Sequence, residues 1–585
     1  MNINIRRSPF NLNENQARWV DESLAAMSLE EKAGQVFCTS VSFFSPKTIR
    51  HLTSDIKVGG LMIRPLAVKG LQANLRRLQD ASSLPLLIAA NLESGGNGAI
   101  KEGTYFAMPE GCSATGDPQN GYRLGKIACR EAAAVGVNWS FAPIVDIDLN
   151  YANPITNIRS FGSDRDTVIQ MSLGYLKAAR EENVATSIKH FPGDGVDERD
   201  QHLLVSVNDL SAVDWQQSFG MVYQTLIEAG APTIMVGHIA QPAMARALNP
   251  EINDAGAFLP ASLSRTLMTG LLREKLGFNG LVITDSTLMT GFMVPMPRRQ
   301  ALPLAIENGA DMILFNRNLD EDYRYLLEGI RSGLLSESRL NEAVTRILAL
   351  KASLGLPGKK QQGALVPAGD PRQIIDLAES KKWTRDCADN AVTLVKDNRS
   401  HLPLSPDKTR RVYLNVIENY ADNRSSFALD IRRRLEREGF AVELRKRKLD
   451  FNPNLLMKGI MTLAIIKVLR EVMTSTDAFV SKYDLCLIVV NMETVSNATV
   501  VRINWKVMMG LGNDIPWYAG EIPLVVVSTA NPYHLLDIPM AHTYINAYSN
   551  NPETLDAVFD KLTGKSPFKG TSPVDPFCGH EDCRI

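Results

Sequence analysis

The stretch "LREKLGFNGLVITD", Leu272 to Asp285, holds the unit from which the fold is read. Its first half has helical character that stops near Gly277, a residue able to take the left-handed conformation that ends a helix. Its second half, "LVITD", is a short apolar run closing on a carboxylate. A helix delivered through a glycine turn into a run apolar on both faces is the αβ half of a parallel-sheet unit.

Working outward, the same rhythm recurs from Val36 to Asn316. The runs are "VFCTS" (36–40), "GLMIR" (60–64), "LLIAA" (86–90), "VNWSFA" (137–142), "ATSIK" (185–189), "TIMVG" (233–237), "LVITD" (281–285) and "MILFN" (312–316), with helical stretches between them. Eight such runs point to an α/β fold with a closed (β/α)8 barrel of the TIM type; an open doubly wound sheet is the alternative. In "MSLEEKAGQVF", Ser28 and Glu31 have the spacing of a capping box, which starts a helix leading into the first run.

After Gly355 the texture changes. "GLPGKKQQGALVPAGDPRQ" reads as an interdomain linker, and a second apolar series follows: "RVYLNVI" (411–417), "AVELRK" (441–446), "YDLCLIVV" (483–490), "PLVVVST" (523–529) and "TYINAY" (543–548). The expected organisation is a barrel over 1–354, a linker over 355–380, a smaller α/β domain over 381–563 and an extended tail over 564–585. No glycine-rich phosphate loop follows the first strand of the second series, so a nucleotide role has little support.

Composition narrows the function. A chain of 585 residues with 45% hydrophobic and 22% charged residues is globular and too long for one core. A formal net charge of -1 argues against a nucleic-acid partner, which would demand a basic surplus. The basic run Ile431 to Lys448 reads as a solvated helix face leading into an edge strand. The start lacks the apolar core of a secretory signal and no later run is long enough to cross a bilayer, so a cytoplasmic protein with no membrane partner is expected. Seven cysteines, an odd and scattered set, do not form a disulfide framework. Cys578 and Cys583 in "CGHEDC" invite a metal, with His580, or a small disulfide. Three ligands are too few for a closed tetrahedral zinc site, so a structural or incidental role is favoured.

Titratable and polar groups gather just after the apolar runs: Asn91 and Glu93, Asp146 and Asp148, the "KHFPGDGVDERDQH" segment from Lys189 to His202, His238, and Asp285. In a barrel these carboxyl ends surround one mouth, where active sites are built, although an acid after a strand also serves as a helix N-cap.

Together "MSLEEKAGQVF", "NPITNIRSFGSD", "KHFPGDG" followed by Asp200 and His202, "GLVITDSTLMTG" and "NAVTLVKDNRSHLPL" resemble the family 3 glycoside hydrolases, closest to the β-N-acetylglucosaminidase branch. The resemblance implies a catalytic barrel followed by an α/β sandwich, and a retaining β-glycosidase needing no metal or cofactor. Retention requires a nucleophile on one side of the anomeric carbon and a proton donor on the other. Asp285 is the candidate nucleophile, and the resemblance makes His202 the acid/base with Asp200 holding its ring. An imidazole suits that task because its ordinary pKa near 6.5 lets it give and take a proton at neutral pH.

The resemblance further implies that Lys189, His190 and Arg159 bind sugar hydroxyls. Asn91, in "NLESGG", stands where relatives have an aspartate in "DQEGG", so Glu93 is an alternative sugar contact. Asp194 replaces a histidine of "KHFPGHG". His238 either contacts the leaving-group side or is a packed histidine. The expected activity is exo-acting removal of terminal N-acetylglucosamine from peptidoglycan fragments or chitin oligosaccharides through a covalent glycosyl-aspartate. A neutral imidazole does not repel a phosphate dianion as a carboxylate base would, so phosphorolysis with inorganic phosphate is a second reading. A β-glucosidase and a catalytically silent sugar-binding protein are the remaining alternatives.

Overall fold

A computed structural model describes residues 3–585 except 376, 420–424, 446–473, 493–495, 498, 500–501, 504 and 506–514. The chain divides into two compact units. The first comprises Met1–Ser113, Asp117–Thr384 and Val495–Thr499, and the second Ala114–Gly116, Arg385–Thr494 and Val500–Ile585.

The first unit is a closed parallel barrel. Its strands are β1 (Phe37–Val41), β2 (Gly60–Ile63), β3 (Leu87–Ala90), β4 (Trp139–Ser140), β5 (Ala185–Phe191), β6 (Thr233–Val236), β7 (Leu281–Ser286) and β8 (Met312–Leu314). Each of the eight apolar runs supplies one strand, neighbours follow chain order, and β8 returns to β1 with Phe37 opposite Ile313. That closing pair excludes the open sheet. All seven residues of β5 are buried, as expected where helices cover the outside and side chains fill the inside.

The helix signals act as their chemistry dictates. Ser28 caps Leu29–Gln35: its hydroxyl accepts from the Glu31 amide at 3.2 Å, and the Glu31 carboxylate accepts from the Ser28 amide at 2.9 Å. Before β7 the chain winds as a π-helix over Thr266–Lys275 and leaves through Gly277 at φ 68°. The stretch after Gly355 is not a free connection. It forms a short helix, Leu356–Gln361, and lies along the barrel, with Lys360 Nζ donating to the Gln79 carbonyl at 2.8 Å and Gln72 Nε2 to the Pro367 carbonyl at 2.8 Å.

The second unit is a six-stranded sheet built from β9 (Thr393–Asp397), β10 (Arg411–Glu418), β11 (Ala441–Leu444), β12 (Leu485–Asn491), β13 (Leu524–Ser528) and β14 (Thr543–Asn546). Its order is β9-β14-β13-β12-β10-β11, with β9 antiparallel and the rest parallel. The second apolar series accounts for the five parallel strands; β9 lies within "NAVTLVKD" and was not counted among them. Alternation along β10 feeds two cores, Val412, Leu414 and Val416 on one face and Tyr413 on the other. The basic run forms the helix Ser426–Arg437 and then the edge strand β11, while Lys446, Arg447 and Lys448 lie outside the described residues.

The last residues are part of this unit rather than an extended tail. The Lys396 ammonium donates to the carbonyls of Cys583 and Ile585, both at 2.9 Å, which ties the chain end to β9. Cys578 and Cys583 are both free thiols. Among the described residues no helix is long and apolar enough to cross a membrane.

Candidate active site

The loops leaving the carboxyl ends of the barrel strands bring most of the sequence-derived candidates together. Asp285 ends the apolar part of β7, and one oxygen accepts the Ser286 amide at 2.6 Å. The other lies 3.8 Å from His190 Nε2. Burial pushes this carboxyl up, but His190, His238 and His202 close by, with the Ser286 amide, hold it below the usual carboxylate range. Asp285 is therefore an anion facing the mouth, as a nucleophile must be.

His190 is oriented from below. Its Nδ1 meets Asp146 Oδ2 at 2.7 Å and its amide donates to Asp146 Oδ1 at 3.0 Å. The Asp146 side chain is fully buried, so the ring has one tautomeric arrangement that turns Nε2 toward Asp285. Asp146 was visible in the sequence only as an acid after a strand; its pairing with His190 spans 44 positions.

The loop after β5 turns through two glycines. Gly193 has φ 120° and Gly195 φ 101°; a Cβ on Gly193 would sit 2.2 Å from the Phe219 ring, and one on Gly195 2.1 Å from the Ile147 carbonyl. The turn sets Asp194 among buried donors: Gly195 N at 2.8 Å, Asn153 Nδ2 at 2.8 Å and Gln201 Nε2 at 3.0 Å. Burial and the neighbouring Asp146 charge push the Asp194 carboxyl up to about 6. Gln201 in turn accepts the His238 amide at 2.8 Å, so Asp194 anchors the end of the loop that carries the dyad.

The dyad itself is formed. His202 Nδ1 lies 2.7 Å from Asp200 Oδ1, and the His202 amide reaches the same oxygen at 2.7 Å. The Asp200 side chain is fully buried while the His202 side chain is 25% exposed. The His202 carbonyl accepts the Thr290 amide at 3.0 Å, which links this loop to the one that leaves β7 beyond Asp285.

The sugar-binding candidates separate into two groups. Arg159 forks onto Glu93 through Nε and Nη2, both at 3.1 Å, and Lys189 Nζ joins it at 2.6 Å. Burial pushes the Glu93 carboxyl up, and the two cations outweigh it and hold the carboxyl far below the usual range. Asp164, close to Arg159 in sequence, caps the helix Arg165–Glu181 by accepting the Thr167 amide. Among the described residues Arg159 bonds Glu93 and the Ile155 carbonyl and Lys189 bonds Glu93, which leaves each with N–H donors to spare. Asn91 is exposed at the end of β3. His238 is the exception: it is fully buried, with Nε2 donating to the Ser286 carbonyl at 2.9 Å and Nδ1 facing the Ser262 hydroxyl at 2.8 Å. Burial lowers its pKa to about 4. With both nitrogens engaged and the ring buried, His238 has the geometry of the packed reading.

Residues 28–350 match the glycosyl hydrolase family 3 N-terminal domain. The chain belongs to glycosyl hydrolase family 3. A family 3 relative from Cellulomonas fimi, named "Beta-N-acetylglucosaminidase/beta-glucosidase", is 42% identical over 586 residues, covering 100% of each chain. The solved structure described as "Beta-glucoside phosphorylase BglX bound to 2FGlc" superposes with a TM-score of 0.90 at 42% identity, over 98% of this chain and 99% of that one. A family 3 β-N-acetylglucosaminidase from Paenibacillus sp. shares the fold at a TM-score of 0.76 and 23% identity, over 94% of this chain and 99% of that one.

Proposed function

We propose that the protein is a retaining β-glycosidase that removes terminal β-linked N-acetylglucosamine, with β-glucosides as a second substrate class, through a glycosyl ester on Asp285. The observation that carries the reading is the 2.7 Å Asp200–His202 pair, on a loop tied by the Thr290 amide to the loop beyond an ionised Asp285. The Asp285 carboxylate attacks the anomeric carbon while His202, protonated on both nitrogens, gives its Nε2 proton to the departing oxygen. Asp200 accepts Nδ1–H throughout, which fixes the ring and stabilises the imidazolium. In the second half, the neutral His202 takes a proton from water as that water opens the ester, and Asp285 leaves as a carboxylate. Lys189 and Arg159, steadied by Glu93, present their free N–H groups to sugar hydroxyls, and Asn91 offers its amide beside them. Both sugars fit the name of the Cellulomonas fimi relative, and peptidoglycan fragments and chitin oligosaccharides are the proposed natural carriers of terminal N-acetylglucosamine.

Phosphate as the acceptor is a second reading, supported by the phosphorylase named among the 42% identical structures. A neutral His202 tolerates an incoming dianion, and attack of a phosphate oxygen on the anomeric carbon of the α-linked glycosyl ester would displace the Asp285 carboxylate and release a β-sugar 1-phosphate.

Turnover of phenyl and 2,4-dinitrophenyl β-glycosides of both sugars, with and without inorganic phosphate, tests both readings, with product analysis to distinguish free sugar from sugar phosphate. Asp285→Ala should lose about 10⁴-fold or more in kcat. His202→Ala should lose about 10²–10⁴-fold on the phenyl glycosides, which need a proton, and little on the dinitrophenyl ones. Undiminished activity in Asp285→Ala, or no turnover by the unaltered protein, would overturn the proposal.

A further inference from the structure

The dyad has a third member that no motif announces. Asp200 is almost wholly buried, and its Oδ1 takes both N–H groups of His202. Its Oδ2 accepts the backbone amide of Asn497 at 2.6 Å, and among the described residues no other donor reaches that oxygen. With both His202 donors on Oδ1, the carboxylate is held at one oxygen and keeps some freedom to tilt about that end. A donor on the opposite oxygen removes that freedom. Such a charge-assisted bond is about twice as strong as one between neutral groups.

The donor is itself built for the place. Asn497 has φ 68°, the left-handed region that asparagine tolerates better than other side-chain-bearing residues. Its amide nitrogen Nδ2 lies 3.3 Å from the Ser496 hydroxyl. Asn497 groups with the barrel unit, although β12 before it and β13 after it belong to the second unit.

We propose that Asn497 is a positioning residue of the acid/base: its backbone N–H fixes the plane of the Asp200 carboxylate and, through it, the His202 ring that delivers the proton. The proposal rests on His202 being the proton donor. It assigns to the sequence beyond β12 a share in the glycosidic step that a barrel motif cannot encode.

The decisive quantity is the ratio of kcat/KM for phenyl to that for 2,4-dinitrophenyl β-glycoside, because only the first needs a proton on its leaving oxygen. Asn497→Pro removes the N–H and should lower the ratio about 10–100-fold. Asn497→Gly keeps both the amide and the left-handed turn and should restore the parent ratio. Equal loss on the two substrates, or an unchanged ratio in Asn497→Pro, would overturn the proposal. Where the proline variant does not fold, hydrogen exchange decides: the Asn497 amide should exchange faster in Asp200→Ala than in the parent, and equal exchange rates would overturn it. The underlying reading fails separately, through an unchanged ratio in His202→Ala.

Discussion

The barrel carries a buried carboxylate ringed by cations at each end, and the two rings are built to different ends. At the amino end of β8, Asp311 takes Arg273 Nη2 at 2.6 Å, Arg339 Nη2 at 2.7 Å, Arg346 Nη1 at 3.3 Å and the Val282 amide at 2.8 Å. Its side chain is fully buried and every cation points at it. At the carboxyl end of β3, Glu93 takes two cations among the described residues, Arg159 and Lys189, and 14% of its side chain is exposed. The lower ring is saturated and closed. The upper ring is open and leaves donors over, which is the difference between holding strands together and holding something else.

Three substitutions test how deep that difference goes. Glu93→Gln should have the largest effect on activity: with the charge gone, Lys189 and Arg159 lose their shared anchor, and kcat/KM should fall about 10²-fold with the fold intact. Steady-state kinetics beside a thermal melt reads both; a large drop in melting temperature with normal kinetics in the folded enzyme would make Glu93 a second Asp311 and dissolve the contrast.

Asp311→Asn should do the reverse. Three guanidinium groups would face a neutral partner, at a cost of about 3–5 kcal/mol to the barrel's unfolding free energy, while KM in the folded fraction stays at the parent value. Denaturant unfolding with activity measured below the transition checks it, and a shifted KM would show the two ends to be coupled.

The smallest effect lies in pH. Burial depresses His238 from its ordinary 6.5 to about 4, so between those values the unfolded chain binds a proton that the folded protein refuses. Its contribution to stability is present above 6.5 and is lost as the pH falls toward 4. The Asp311 carboxyl, held below its ordinary value by the three arginines against the opposing pull of burial, stays ionised over that window. In His238→Gln the slope of unfolding free energy against pH should shrink by up to one proton over that window, and an unchanged slope would remove His238 as its source.

The same contrast separates what could be read early from what could not. The barrel strands, and the inner parallel strands β10, β12, β13 and β14 of the second sheet, were legible because burial on both faces leaves a local mark, a short and mostly apolar run, whereas the edge strand β11 alternates exposed and half-buried residues. β9 escapes such a reading because Thr393–Asp397 mixes two apolar residues with a lysine and an aspartate, and its buried Lys396 is satisfied by the distant carbonyls of Pro539, Cys583 and Ile585. In the site, Asp200 and His202 were legible as neighbours two apart. Asp146 under His190, Gln201 between Asp194 and His238, and Asn497 on Asp200 were not, since their partners lie 44, 37 and 297 positions away in the Asp146, Gln201–His238 and Asn497 contacts.

By itself the sequence determined a chain of alternating helices and doubly buried strands, with a histidine and several acids delivered to strand ends, because apolar period and turn chemistry act over a few residues. Only the tertiary structure decided that β8 closes on β1, that Glu93 is bound by Arg159 and Lys189, and that both ring nitrogens of His238 are engaged, by Ser262 and Ser286. Whether a charge is neutralised, raised or lowered depends on which groups lie within a few ångströms of it after burial, and those neighbours come from loops far apart along the chain.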